Sequence, residues 1–117
     1  MRIVAQANVE NDLKAALEAR ASDYLMPDVM KIGGVTGWLR AAAVSAVHNI
    51  AISNHLWPEI SAQLLCATPT AHYLEYADCW NPVIAEPLQV TNGVTSVQGM
   101  VGTGISWNEQ AIVQWLF

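Results

Sequence analysis

Residues 49–58 read Asn49-Ile50-Ala51-Ile52-Ser53-Asn54-His55-Leu56-Trp57-Pro58, and their reading decides the fold. Ile50 to Ser53 is a short apolar, β-branched run of strand length. Pro58 suits the first turn of a helix, where its missing N–H leaves no bond unmade. That helix is predicted to run to Cys66 or Ala67. A strand passing within a few residues into a helix is a βα unit. Strand side chains alternate in direction, so Ala51, Ser53 and His55 share one face while Ile50 and Ile52 point the other way.

The same pattern recurs on both sides. Upstream, Asp23-Tyr24-Leu25-Met26-Pro27 is a strand ending at Asp28, since proline suits strand ends. Gly33-Gly34 breaks the chain, and Thr36 is placed to cap a helix over residues 37–47. Trp38, Leu39, Ala42, Val44 and Ser45 lie near the buried side of that helix. Earlier still, residues 8–20 have helical periodicity, with Leu13, Ala16, Leu17 and Ala21 on one face and Asn8 or Asn11 as cap. Ile3-Val4-Ala5 is a short strand. Downstream, residues 71–75 form another strand, with Ala71, Tyr73 and Glu75 opposite His72 and Leu74. The expectation is an α/β chain of about four βα units in a parallel sheet over residues 1–80.

After Asp78 the character changes to a tail over residues 81–117. Asn81-Pro82, Glu86-Pro87 and Asn92-Gly93 are turn signals. Residues 88–90 and 94–97 pair into a small hairpin around Asn92-Gly93. Gly99, Gly102 and Gly104 mark a loop, and a short helix over residues 108–116 ends the chain. Trp107 and Trp115 in this tail need a surface to pack against.

Composition narrows the function classes. Of 117 residues, 53% are hydrophobic and 13% charged, which suits a buried core and excludes disorder. The net charge of −5 argues against a nucleic-acid partner, which would require a basic surface. Cys66 and Cys79 form no CxxC, so neither a zinc site nor a disulfide framework is supported; two buried, reduced thiols are expected. No apolar segment follows Arg2 as in a signal peptide, and residues 41–47 are too short an apolar run to span a bilayer. A soluble cytoplasmic chain without membrane contact is expected.

In three successive strands a titratable residue falls at the C-terminal end: Asp28, His55 and Glu75. In a (β/α)8 barrel that rim is where catalytic residues gather. Charged residues also stand at strand ends simply because loops begin there, so periodicity alone leaves both readings open. Gly33-Gly34 lacks Walker or dinucleotide spacing and is a backbone turn. His48 is a helix-end residue, and His72 is expected to face the helical layer.

The exact strings decide between those readings. Met26-Pro27-Asp28-Val29-Met30-Lys31-Ile32-Gly33-Gly34-Val35-Thr36-Gly37-Trp38 resembles the sixth-strand region of mandelate racemase-like enzymes of the enolase superfamily. Ser53-Asn54-His55-Leu56-Trp57-Pro58-Glu59-Ile60-Ser61 resembles their seventh, and Ala67-Thr68-Pro69-Thr70-Ala71-His72-Tyr73-Leu74-Glu75 their eighth. The stretches Glu86-Pro87-Leu88 and Gly102-Thr103-Gly104-Ile105-Ser106-Trp107 look like the family's closing segment.

The resemblance implies the C-terminal half of a (β/α)8 barrel, strands five to eight, with a tail that would pack on a missing N-terminal capping domain. It implies abstraction of a proton α to the carboxylate of a small 2-hydroxy acid, with Mg²⁺ stabilising the enediolate. His55 would be the general base or acid, and Asp28 would orient its imidazole. Glu75, in its acid form, would donate a hydrogen bond to the developing oxyanion. Lys31 matches a family lysine and is read as a supporting ion-pair partner.

The chain departs from that pattern in its metal ligands. Where the family places a metal-binding glutamate on the fifth strand, this chain reads Val4-Ala5-Gln6-Ala7, which puts Ala5 at the carboxylate position. Neither alanine nor glutamine replaces a charged oxygen ligand for Mg²⁺. The family's second-strand lysine has no counterpart either. The chain alone is therefore expected to bind no metal and to be inactive as a racemase. Racemase, sugar-acid dehydratase and non-catalytic truncated remnant are the three readings. Open sheet edges predict a homo-oligomer, including a half barrel completed by a second copy, or association with a missing N-terminal half.

Overall fold

The computed structural model describes residues 4–5 and 10–114, with side chains from Leu13 onward. Strands and helices alternate: β1 (Val4–Ala5), α1 (Glu10–Glu18), β2 (Tyr24–Leu25), α2 (Gly34–His48), β3 (Ala51–Ile52) and α3 (Pro58–Cys66). A 3₁₀ turn at Asn81–Val83 and α4 (Glu109–Val113) follow. The sheet has the order β1-β2-β3 and every pair is parallel, with Tyr24 opposite Ala51 and Leu25 opposite Ile52. Helices separate consecutive parallel strands, as a parallel sheet requires. The α/β class and the alternation expected from the sequence are both observed.

The helix ends follow from local chemistry. Arg20 takes a left-handed φ of 49°; its N–H donates to Leu17 O and that of Ala21 to Ala16 O. Asn49 repeats the arrangement at φ 53°, with bonds from Asn49 and Ile50 to Ala46 O and Ser45 O. Both are Schellman closures, which satisfy the last carbonyls and turn the chain back towards the sheet. Asparagine tolerates this conformation, whereas arginine has no such compensation. α3 starts at Pro58 and runs to Cys66, as the proline predicts.

α2 begins three residues before its expected start. Gly33, left-handed at φ 96°, stands at its N-cap, so Thr36 falls in the first turn and caps nothing. Gly37 is packed so tightly on the preceding loop that a Cβ there would lie 1.8 Å from Ile32 O. Of the residues expected on the buried side of α2, Trp38, Ala42 and Ser45 are buried, joined by Ala41. Leu39 instead lies on the open side, 47% exposed.

The core lies between the sheet and these helices. Leu13 and Leu17 of α1, Leu25, Trp38, Ala41, Ala42, Ile52, Leu64 and Leu65 form one cluster with Val29 and Ile32. Each fully buried large aliphatic side chain contributes roughly 1.5–3 kcal/mol. The Trp38 indole N–H, deep in this layer, donates to Thr68 Oγ1 at 3.0 Å, and that hydroxyl donates to Leu64 O at 2.8 Å. Ser45 Oγ donates to Ile50 O and lies 3.2 Å from Thr70 Oγ1. These bonds satisfy the polar groups that the core would otherwise strand.

The expected strand over residues 71–75 is reduced to one parallel bridge, Ile52 with Ala71. Thr70 O accepts from Ile52 N–H at 2.8 Å, and His72 N–H donates to Ile52 O at 2.7 Å. Beyond that point side chains of residues 53 and 54 replace the ladder. Ser53 Oγ accepts from Tyr73 N–H at 3.3 Å and Asn54 Oδ1 from Glu75 N–H at 2.6 Å. His72 is exposed and stacks on the ring of Tyr24, centroids 4.8 Å apart, so it does not face the helices. Leu74 packs on the core instead.

In the tail, Asn92 (φ 52°) and Gly93 (φ 76°) make the expected two-residue turn, closed by paired bonds between Thr91 and Val94. The pairing stops after that one bridge. Asn108 caps α4 through Oδ1, which accepts from Ala111 N–H. Residues 115–117, expected to continue this helix, lie outside the described residues, as do Ile3 and Asn8. Ile84 and Leu88 anchor the tail as buried side chains, and Ile84 bridges Trp107. Cys66 and Cys79 are exposed free thiols, not buried ones. Among the described residues no helix is long and apolar enough to cross a membrane.

Candidate functional site

Beyond β2 and β3 the parallel pairing continues to the rim. Ser53 N–H donates to Leu25 O and His55 N–H to Pro27 O, which brings Asp28 and His55 opposite each other. Both lie on the strand face expected from the alternation. The structure therefore gathers Asp28, His55 and Glu75 at one end of the sheet, the C-terminal end of its strands.

Their side chains pair in a way the sequence reading did not anticipate. Asp28, only 2% exposed, accepts from Met30 N–H at Oδ1 and faces Lys31 Nζ at 3.8 Å through Oδ2. Lys31 and Ile32 N–H groups also donate to the Asp28 carbonyl. The His55 ring takes Glu75 as its carboxylate partner, Nδ1 to Oε2 at 3.3 Å. The His55 ring thus lies against Glu75 and not against Asp28, the residue expected to orient it. Lys31 is the ion-pair partner it was expected to be.

Glu75 is held from several directions. Its Oε2 also accepts from Leu56 N–H at 2.6 Å. Its own N–H donates to Asn54 Oδ1, and its carbonyl accepts from Asn54 Nδ2 at 3.0 Å. Asn54 Nδ2 donates further to Leu56 O at 2.9 Å. Leu56 and Trp57 are both left-handed, at φ 57° and 52°. Non-glycine residues in that region cost roughly 1–3 kcal/mol each and concentrate where function fixes the backbone. Here the twist aims the Leu56 N–H at the Glu75 carboxylate. The Trp57 ring stacks on that of Trp80, which immediately precedes the tail, at 5.0 Å and 11°.

Asn54 is the site residue that sequence reading missed. It lies on the face of Ile50 and Ile52, where an apolar side chain is due, and it is fully buried. A polar residue out of phase with strand alternation was the available signal.

The arrangement can hold an imidazole and a carboxylate together at an open rim and transfer a proton there. It does not fit a magnesium ion. Mg²⁺ needs near-octahedral oxygen ligation, and among the described residues no group of three or more His, Cys, Asp or Glu is gathered to hold a metal. The two rim carboxylates are taken by Lys31 and by His55. Ala5 stands opposite Leu25 in the sheet, and alanine offers no ligand oxygen.

Comparison with known proteins agrees with this geometry. Residues 6–111 match the family described as enolase C-terminal domain-like. The L-talarate/galactarate dehydratase of Salmonella typhimurium is 30% identical over 91 residues, 78% of this chain and 23% of that protein. The D-galactarolactone cycloisomerase of Agrobacterium fabrum is 29% identical, over 85% of this chain and 31% of that protein. A crystal structure of an enolase from Bradyrhizobium complexed with magnesium and mandelic acid superposes with a TM-score of 0.89 at 42% identity. That match covers 97% of this chain and 32% of the other. The chain spans less than a third of the length of each of these proteins. With the family matched over nearly its whole length, this chain belongs to the enolase superfamily, mandelate racemase-like branch, through the C-terminal domain.

Proposed function

We propose that this chain carries the acid/base side of an active site that abstracts the proton α to the carboxylate of a 2-hydroxy acid. The observation that carries the reading is the His55–Glu75 contact at 3.3 Å, beside buried Asp28 at the C-terminal ends of parallel strands. Imidazole Nε2, the nitrogen not facing Glu75, takes the α-proton. The imidazolium that results lies against Glu75, whose Oε2 is 3.3 Å from Nδ1. Racemisation is the reaction we favour, because the Bradyrhizobium relative at 42% identity holds mandelic acid. Dehydration of a sugar acid is the alternative, supported by the dehydratase among the curated relatives. Metal-binding carboxylates and a second acid/base come from residues other than those described, and residues 81–114 act as the covering tail.

The test is a chimera. Residues 13–114 replace their counterpart in the Bradyrhizobium enolase, and α-proton exchange of mandelate is followed by ¹H NMR in D₂O with Mg²⁺. Exchange should be present and fall by about 10²–10⁴-fold in His55→Asn. A folded, Mg²⁺-binding chimera without exchange would sink the reading. The 117-residue chain alone should show neither exchange nor saturable Mg²⁺ heat in calorimetry.

The position of Ala5 supports a second reading, a metal-free relative that survives by self-assembly. Light scattering on the isolated chain separates the two: a stable oligomer favours it, and a monodisperse monomer with a sharp thermal transition counts against it.

A further inference from the structure

We infer that Asn54 is the positioning residue that sets Glu75 against the His55 ring. The inference rests on reading His55 as the acid/base group. The Asn54 side-chain amide has one strong acceptor and two N–H donors, and all are used. Oδ1 takes Glu75 N–H at 2.6 Å; Nδ2 gives to Glu75 O at 3.0 Å and to Leu56 O at 2.9 Å.

The first two bonds have the form of a backbone pairing. The one amide answers both the N–H and the C=O of a single residue on the neighbouring segment, bonds that backbone groups supply in a ladder. This happens where the regular pairing between β3 and the next segment has ended, at the Ile52–Ala71 bridge. Asn54 therefore extends the sheet by one side-chain rung, and the residue held on that rung is Glu75. The third bond ties the same amide to Leu56, whose left-handed backbone sends its N–H to Glu75 Oε2 at 2.6 Å. One buried side chain thus fixes the backbone of Glu75 and steadies the donor that aims its carboxylate. Asn54 itself faces the buried layer and touches no reacting atom.

Ser53 provides an internal comparison. It also replaces a ladder bond, from Tyr73 N–H at 3.3 Å, but it holds no part of Glu75.

The test uses NMR on the full 117-residue chain. Asn54→Asp is isosteric: it keeps the acceptor for Glu75 N–H and turns an oxygen towards the two carbonyls that Nδ2 served. The His55 Nδ1 ¹⁵N signal should move to the position it takes in Glu75→Gln. Exchange of the Leu56 amide should quicken on the order of tenfold, the effect of losing about one hydrogen bond to the displaced Glu75 carboxylate. Ser53→Ala should leave the His55 signal in place. A folded Asn54→Asp with wild-type His55 and Leu56 signals would overturn the inference. If that variant does not fold, the unmutated chain decides. Both Asn54 Nδ2 protons should exchange slowly and show through-space contact with Glu75 Hα; fast, contact-free amide protons overturn it. In the chimera, Asn54→Asp should lower kcat with KM unchanged. A chimera inactive from the outset defeats the proposed function and leaves the NMR result on Asn54 standing.

Discussion

His55 and Asp28 are neighbours in the parallel ladder, yet the His55 ring is paired with Glu75, from the segment on its other side. Backbone adjacency and side-chain pairing separate here because Asp28 is already engaged. Its oxygens serve Met30 N–H and Lys31, whereas the Glu75 carboxylate is carried to the ring by Asn54 and Leu56.

Glu75→Gln should therefore perturb His55 more than Asp28→Asn does. The Nδ1 ¹⁵N signal is expected to shift clearly in the first variant and little in the second. In the chimera, Glu75→Gln should slow α-proton exchange by about 10²-fold, at the lower end of general acid–base contributions. The reverse order of shifts would mean that Asp28 orients the ring.

Lys31→Met should cost little, at most about 1 kcal/mol, since the ammonium is exposed and the pair is solvated on one side. Lys31 is 54% exposed at its side chain, against 3% for Asp28. Urea unfolding at low and at high salt measures this, and the difference between variant and parent should shrink at high salt. A loss of several kcal/mol would give Lys31 a structural part that its exposure does not suggest.

Arg20→Gly should stabilise the chain by about 0.5–1 kcal/mol. The left-handed closure of α1 strains any L side chain, and glycine removes most of that strain while losing some of the gain to its freer unfolded state. A thermal midpoint a few degrees higher is the expected reading. No rise would show that the Arg20 side chain compensates for its backbone.

Gly37→Ala should destabilise by about 3 kcal/mol, the upper end for overpacking. The added methyl would meet the Ile32 carbonyl at 1.8 Å, a backbone atom that cannot swing aside. Denaturant unfolding with an unchanged midpoint would mean that α2 slides away from its loop at little cost.

Much of this architecture could be read in the chain beforehand. Pro58 marked the start of α3 and Asn92-Gly93 the tail turn, because each has one strong local preference. The rim position of Asp28, His55 and Glu75 followed from strand alternation together with the family strings. The partners of those side chains were not legible. Whether His55 meets Asp28 or Glu75 depends on which carboxylate is already satisfied, and that is decided by contacts between distant segments. The strand expected over residues 71–75 failed for a related reason: the alternation was present, but Ser53 and Asn54 supply through side chains the bonds that a ladder would use. The early start of α2 came from Gly33, whose left-handed backbone closes the turn before Thr36 is reached. Leu39 and the two cysteines show that an apolar residue is not always a buried one.

The left-handed pair Leu56–Trp57 sets durability against accuracy in this chain. Glycine at position 56 would relax the backbone and keep the N–H, so a screen that rewards only heat tolerance would favour it. The same change would let that N–H wander among several directions, where it now points at Glu75 Oε2. Lasting and aiming therefore pull on one residue in opposite senses.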